Sequence, residues 1–399
     1  MVYFLLLILS VGLIWSYKTY KDVFHPYVIF SFQWLLILFL YVFYPHDLYP
    51  LSTDFYVTLL IWVVSFSIFP IIHYKDTIKR ENRREALFLK KERVQLLYKI
   101  SITLVLSHLL VLVASGALSG NFYERFISEA NNDKSFIEIL FSYLQKVPIV
   151  FCGLAFWEKA TLTKKQRYFL LALIFLSMSL MGGKTRLLQL LFMILFLTNE
   201  FNGIKLKKIA IFGVGIFMFF MLIQFFRIQD VDRKANFTVS EVFIHYVLAP
   251  LPSMDFVMHD KDEQVKGNTF RFFRQIGNKT GLYETKESPF YGANDGWVFV
   301  PIPNNVFTVL HNVYCDYNNT GIFLYGLLSG FFWIKLYYKV RRREKIYILF
   351  YGLIIYALVM QFFDDLLLSY ASDIIQYFFW AWLFLKLLIK DDRYIVSNL

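Results

Sequence analysis

Apolar residues in this chain come in unbroken runs and not at the spacing of an amphipathic surface helix. The runs cover approximately 2–16, 27–44, 55–73, 100–117, 136–156, 168–182, 187–200, 209–226, 321–338, 346–363 and 375–389. Most approach the roughly 20 residues a helix needs to cross a hydrocarbon core, and in lipid a helix satisfies its own backbone hydrogen bonds. The pattern predicts an all-α polytopic integral membrane protein, a single membrane domain over residues 1–399 with about eleven transmembrane helices. The first run has no basic stretch before it and no small-residue cleavage site, and Lys18 and Lys21 follow it. It is therefore expected to be a retained span and not a cleaved signal.

The connections assign an orientation. Segments 17–26, 74–99, 157–167, 201–208, 339–345 and 390–399 hold 25 Lys and Arg, whereas the alternate short connections 45–54, 118–135, 183–186 and 364–374 hold 4. The positive-inside rule then predicts the N-terminus outside and the C-terminus in the cytoplasm. The basic loop 74–99, with Lys79-Arg80, Arg83-Arg84 and Lys90-Lys91-Glu92-Arg93, could be taken for a nucleic-acid site. Anionic lipid at the inner leaflet accounts for it without another ligand, at roughly 1 kcal/mol per cation, so membrane lipids and no nucleic acid are expected as partners.

Composition agrees with the pattern. Of 399 residues, 57% are hydrophobic and 18% are charged, against about 45–50% and 25% in soluble domains. The formal charge of +11 is mostly accounted for by the inner loops. Two isolated cysteines, Cys152 and Cys315, exclude a disulfide framework or a zinc site of the usual spacing.

The stretch 227–318 is the one long connection, between predicted helices 8 and 9, and it faces outside by this orientation. It carries 9 Lys and Arg against 11 Asp and Glu, so each arginine near the membrane needs its own reason. Apolar pieces at Phe237–Leu248 and Phe270–Ile276 predict short amphipathic helices resting on the bundle, so that the loop caps a cavity. Asp230-Val-Asp232 and Asp260-Lys-Asp262 could hold a divalent cation, but acidic triplets arise by chance in such a loop, and no metal or other cofactor is expected.

Asn305-Val-Phe-Thr308, followed by Tyr314-Cys-Asp316-Tyr317 and then Gly321 and Gly330, resembles the bacterial Wzy-type oligosaccharide repeat-unit polymerases. That family shows Asn-x-aromatic-Thr, an Asp-aromatic-Gly eight residues beyond the Thr, and two further glycines in the next span. Asn318 stands where the family has Gly, and Asn is the next residue most tolerant of left-handed dihedrals. Tyr246-Val-Leu-Ala-Pro250, Gly267-Asn-Thr269-Phe270 and Gly183-Lys-Thr-Arg186 also look like family features, so the likeness covers roughly residues 180–330. His311-Asn312 ahead of Gly321 is similar to the O-antigen ligases, but the interval is one residue short, which ranks polymerase above ligase.

The resemblance implies a multi-pass enzyme of the bacterial cytoplasmic membrane. It would transfer a growing glycan from undecaprenyl pyrophosphate onto a lipid-linked repeat unit at the outer face, with a flippase and a chain-length co-polymerase as partners. The diphosphate leaves without an acid to protonate it but needs fixed positive charge, which arginine supplies bidentately. Arg186 and Arg227, at the predicted outer mouths of spans seven and eight, are the first pyrophosphate candidates; the alternative is that they snorkel to the interface. Arg271 and Arg274, at i and i+3, share one helix face and are candidates for the same role or a solvated face.

The acceptor hydroxyl needs a proton acceptor. Asp316 and His311 are the catalytic candidates; alternatively Asp316 caps a helix beginning near Asn318 and His311 bonds the loop backbone. Asn305, Thr308 and Tyr314 are candidate substrate-binding residues. Glu138, Ser142, Gln145 and Lys146 form a polar stripe in span five, and a Lys146 pair with an acid on another span is expected. Asp364, Asp365 and Asp373 are expected as exposed loop acids. A transferase with an acidic pair in its first outer loop fits poorly, since loop 45–54 holds only Asp47 and Asp54, and a flippase or transporter usually shows two similar halves.

Overall fold

The computed structural model describes residues 1–73, 89–114, 143–157, 161–180, 184–205, 207–209, 211–215, 218, 238–260, 267–282 and 298–389. Within them the chain is an all-α membrane protein. Its helices are α1 (Val2–Tyr20), α2 (Pro26–Phe43), α3 (Thr53–Ile72), α4 (Lys91–Ala114), α5 (Lys146–Trp157), α6 (Lys164–Leu180), α7 (Lys184–Asn202), α8 (Val239–Phe243), α9 (Pro250–His259), α10 (Arg271–Lys279), α11 (His311–Arg341), α12 (Lys345–Val359) and α13 (Ala371–Leu388). A π turn, Ile244–Leu248, follows α8, and a two-residue hairpin pairs β1 (Val298–Phe299) with β2 (Pro303–Asn304) antiparallel. Among the described residues α1, α2, α3, α4 and α11 are long and apolar enough to cross a membrane.

Local chemistry sets the helix starts. Pro26 opens α2 behind His25, whose Nδ1 accepts from Tyr27 N; proline at that position loses no bond the helix could have made. Ser52 caps α3, its Oγ accepting from Phe55 N at 3.1 Å, and Asp54 in the first turn suits the positive end of the helix dipole. Thr308 Oγ1 accepts from Leu310 N at 3.3 Å just before α11. The helix expected to begin near Asn318 begins earlier, at His311, and is kinked at Asn318, where φ is 52° and ψ is −153°.

The chain divides into two compact units. Unit 1 comprises Met1–Lys79, Met221–Tyr338 and Ala357–Ser372, and unit 2 comprises Arg80–Phe220, Lys339–Tyr356 and Asp373–Leu399. In unit 1 the interior is built from Phe30, Trp34, Phe55, Trp62 and Phe66, all fully buried, with Phe30 and Phe66 stacked at 3.9 Å. Lipid is as apolar as these side chains, so helix association here depends on close packing and polar ties. Gly326 and Gly330 of α11 supply the packing. A Cβ on Gly330 would overlap the backbone carbonyl of Phe66, and one on Gly326 the hydroxyl of Ser65. Gln361 supplies a tie, its Oε1 accepting from Trp34 Nε1 at 3.3 Å.

The connections of unit 1 sort to two ends. At one end Ser52 meets Asp255, Tyr49 N donates to Val300 O, Asn304 reaches Ser253 and Asn312 reaches Ser369. At the other, Tyr337 donates to Asp22 at 2.7 Å and the Tyr20 hydroxyl to Pro70 O at 2.8 Å. The described parts of 45–54, 227–318 and 364–374 that belong to this unit, all predicted on one side, thus share an end.

In unit 2, Gly153 packs against Met193 and Leu349, and Gln189 links α7 to α12 and α13, donating to Leu353 O and accepting from Tyr377. Arg343 pairs with Glu200 at 2.5 Å, and both side chains are largely buried. Lys146, 4% exposed, pairs with Asp373 at 2.9 Å, which supplies the inter-span acid expected for it. Glu138 and Ser142 of the same stripe lie outside the described residues.

The acids near 364–373 depart from the exposed loop expected of them. Asp365 is buried and accepts from the Tyr325 hydroxyl at 2.9 Å and from Leu367 N and Leu368 N at 3.1 Å each. Asp364 is half-buried and accepts from Asp365 N. Burial, reinforced by the neighbouring Asp365 charge, pushes Asp364 up to about 7.

Candidate functional site

Residues of the Asn305–Gly330 motif and of Gly267–Phe270 meet in unit 1. The Asp316 carboxylate accepts from Gly267 N and, at 2.9 Å, from Thr269 N, while Thr269 Oγ1 donates to Asn312 O at 3.0 Å. Gly267 has φ 90°, which favours glycine. Arg274 lies against it: Nη1 donates to Gly267 O at 2.6 Å, and a Cβ on Gly267 would overlap the guanidinium. The loop 267–269 is thus held from α11 by Asp316 and from α10 by Arg274.

These bonds place the sequence candidates. Both carboxylate oxygens of Asp316 serve the 267–269 loop, in place of the helix cap considered for it. His311 is buried, stacked on Phe307 at 4.2 Å, with Nδ1 3.2 Å from Asn312 Oδ1. Thr308 is buried, Tyr314 is half-buried and Asn305 is exposed. The neighbouring Asn304 carries the tethers, Nδ2 donating to Ser253 Oγ and to Val306 O at 2.7 Å each. Arg271 is half-buried on α10; burial lowers its pKa, against an opposing pull from Tyr370, and a guanidinium stays cationic regardless. On the same helix Phe273 and Ile276 are exposed, an apolar face fit for the interface.

Arg186 belongs to unit 2, in the first turn of α7, where the positive end of the helix dipole favours an anion. Its Nη1 donates to Gln145 Oε1 at 2.5 Å. A small cavity of about 30 Å³ beside it is lined also by His108, Gln145, Ser177 and Pro148, room for about one water. Arg227 lies outside the described residues, as do Asp230, Asp232 and Asp262.

Sequence reasoning passed over one group in unit 1. Asp255 accepts from Ser52 N at 2.6 Å and Ser52 Oγ at 2.5 Å. One helical turn on, His259 has Nδ1 2.8 Å from Asp255 O and Nε2 3.5 Å from the Asp54 carboxylate. A carbonyl oxygen only accepts, so Nδ1 carries the hydrogen and Nε2 is the basic nitrogen of the neutral ring. His259 and Asp255, with Tyr49, Pro50, Pro252 and Phe256, line an open cleft of about 370 Å³. The i, i+4 spacing of Asp255 and His259 is readable in the sequence; Asp54, two hundred residues away, gives no local signal. Among the described residues no group of three or more His, Cys, Asp or Glu is arranged to hold a metal ion.

No protein-family model, curated protein or solved structure matches the chain.

Proposed function

We propose that this membrane protein is a polysaccharide polymerase, a glycosyltransferase that moves a growing glycan from undecaprenyl pyrophosphate onto a lipid-linked repeat unit at the outer face of the bacterial cytoplasmic membrane. The observation that carries the reading is the joining of two separate family-like segments, Gly267–Thr269 and Asn312–Asp316, by three hydrogen bonds. The residues that resemble the family are also those with a structural reason to be what they are. Asn318 adopts the positive φ for which the family uses Gly, and Gly330 lies where α3 leaves no room for a side chain.

In this reading the sugar anomeric carbon bonds to the acceptor oxygen while its bond to the diphosphate oxygen breaks. The departing diphosphate keeps the electron pair, and fixed cations stabilise that charge. Arg186, at a helix N-terminus, and Arg227 are the proposed ligands, with Arg271 beside the clamped loop as a further one. Arg274 is already committed to Gly267 O. The buried Lys146 has its counter-ion in Asp373, so the polar stripe needs no transported ion to explain it.

The test is direct. Full-length protein in detergent, given lipid-diphosphate-linked repeat units alone, is expected to lengthen the glycan without nucleotide sugar or added metal, and Arg186→Ala or Arg227→Ala to abolish lengthening. Full activity in both variants removes the arginine assignment. A strict need for metal favours an acidic-pair transferase, and passage of lipid-linked sugar across liposomes without new glycosidic bonds favours a transporter.

A further inference from the structure

His311 is buried and both carboxylate oxygens of Asp316 accept backbone bonds from the 267–269 loop, while the proposed transfer must remove a hydroxyl proton. The cleft beside α9 offers a proton acceptor. We propose, building on the polymerase reading, that this cleft seats the hydroxyl-bearing acceptor sugar and that His259, through Nε2, is the general base that takes its proton.

Four observations converge on this cleft. First, the cleft of about 370 Å³ is on the scale of small-ligand sites, and it combines aromatic walls with few polar groups. Tyr49 is 51% exposed and Phe256 37%, which leaves ring surface for the apolar face of a sugar. Second, the His259 tautomer is set by Asp255 O, so the basic nitrogen is Nε2. Third, the His259 side chain is 52% exposed, so a hydroxyl has access to it. Fourth, Asp255 is itself fixed by two bonds from Ser52, the residue that caps α3, so the platform beneath His259 is rigid.

Asp54 completes the arrangement. Its carboxylate, 3.5 Å from Nε2, stabilises the imidazolium once the proton has moved. In the step itself the acceptor oxygen bonds to the anomeric carbon, its proton passes to Nε2, and the lipid diphosphate leaves with the bonding electrons. The proton is then released to water. The ionisable groups that feel Asp255 or Asp54 from neighbouring elements are Tyr41 on α2, Tyr56 on α3 and Tyr314 on α11. Asp260 lines the cleft beside His259. Tyr314, a substrate-binding candidate from the sequence, thereby feels the same two carboxylates as the proposed base.

The bond to Asp255 O raises His259 above its ordinary 6.5, partial burial opposes that rise, and the Asp255 and Asp54 charges add to it. A base must be deprotonated to act, so the rate is expected to climb with pH through a value above 6.5.

The experiment uses the full-length protein with lipid-diphosphate-linked repeat units, measuring glycan lengthening from pH 5 to 9. His259→Gln is expected to slow transfer about 100-fold or more and to remove the acidic limb. Asp54→Asn is expected to lower the rate at high pH, where the imidazolium loses its counter-charge, and to move that limb to lower pH, a change that a merely structural role for Asp54 would not produce. Wild-type lengthening with an unaltered rate and pH profile in His259→Gln overturns this assignment and leaves the polymerase reading standing. An unmoved limb in Asp54→Asn overturns the role given to the pair. No lengthening by the wild-type protein overturns both.

Discussion

Asp316 reaches across from α11 to Thr269, its carboxylate accepting the Thr269 backbone N–H at 2.9 Å while its other oxygen accepts from Gly267 N. A carboxylate bound in this way orders a loop, and each hydrogen bond to a charged group contributes on the order of 1.5–3 kcal/mol. Asp316→Ala is expected to lower stability by about 3 kcal/mol or more, read from the thermal unfolding midpoint of the purified protein, together with any loss of transfer. Asp316→Asn, which keeps one acceptor, is expected to fall between. Activity lost in Asp316→Asn at unchanged stability would instead mark the carboxylate as chemical.

The kink at Asn318 makes a second prediction. Its φ of 52° with ψ of −153° lies in a region that glycine occupies freely and other residues enter at a cost on the order of 1–3 kcal/mol. Asn318→Gly is expected to be neutral or to stabilise by up to about 1 kcal/mol, and Asn318→Ala to destabilise. Chemical denaturation in a fixed detergent measures both. Equal stability of the Gly and Ala variants would show that the position carries no strain.

A third concerns Lys146 and Asp373. Removing one partner of a buried pair leaves an uncompensated charge, at roughly 3–5 kcal/mol, whereas replacing both by neutral residues costs far less. Since Lys146 is 4% exposed and Asp373 26%, Asp373→Asn strands the more deeply buried charge. Asp373→Asn is therefore expected to lower the unfolding midpoint more than Lys146→Met, and the double variant to recover much of the loss. Additive losses would show that the two side chains do not interact.

Helices proved legible because the signal is one-dimensional: the predicted runs that fall on described residues overlap helices, although 346–363 outruns α12, which ends at Val359, and breaks fall at capped turns such as Ser52 and His25. Lys146 was also legible, since an amine within an apolar run demands a counter-ion wherever the chain can supply one. Asp365 was not. Its neighbours in sequence are those of an ordinary turn, and only the return of α11 brings the Tyr325 hydroxyl onto it. His259 escaped for the same reason, because half of its environment comes from the start of α3. Asn304 and Asn305 show the limit at single-residue scale: the motif points to Asn305, while the fold buries Asn304. Nothing local distinguishes two adjacent asparagines before strand pairing decides which one faces inward.

Gly326 and Gly330 meet Ser65 and Phe66 with no side chain between them, and that contact acts as a vernier. At about 1.5 Å of rise per residue, Phe66 sits roughly 18 Å below Asp54 along α3, and α11 carries Tyr314 and Asp316 a comparable distance above its glycines. Sliding one helix past the other by even a single residue would drive a bulkier side chain into the Phe66 carbonyl. The height of Asp54 relative to Tyr314 is therefore gauged at the glycines of α11, and a larger residue at 326 or 330 would shift both ends of α3 and α11 together.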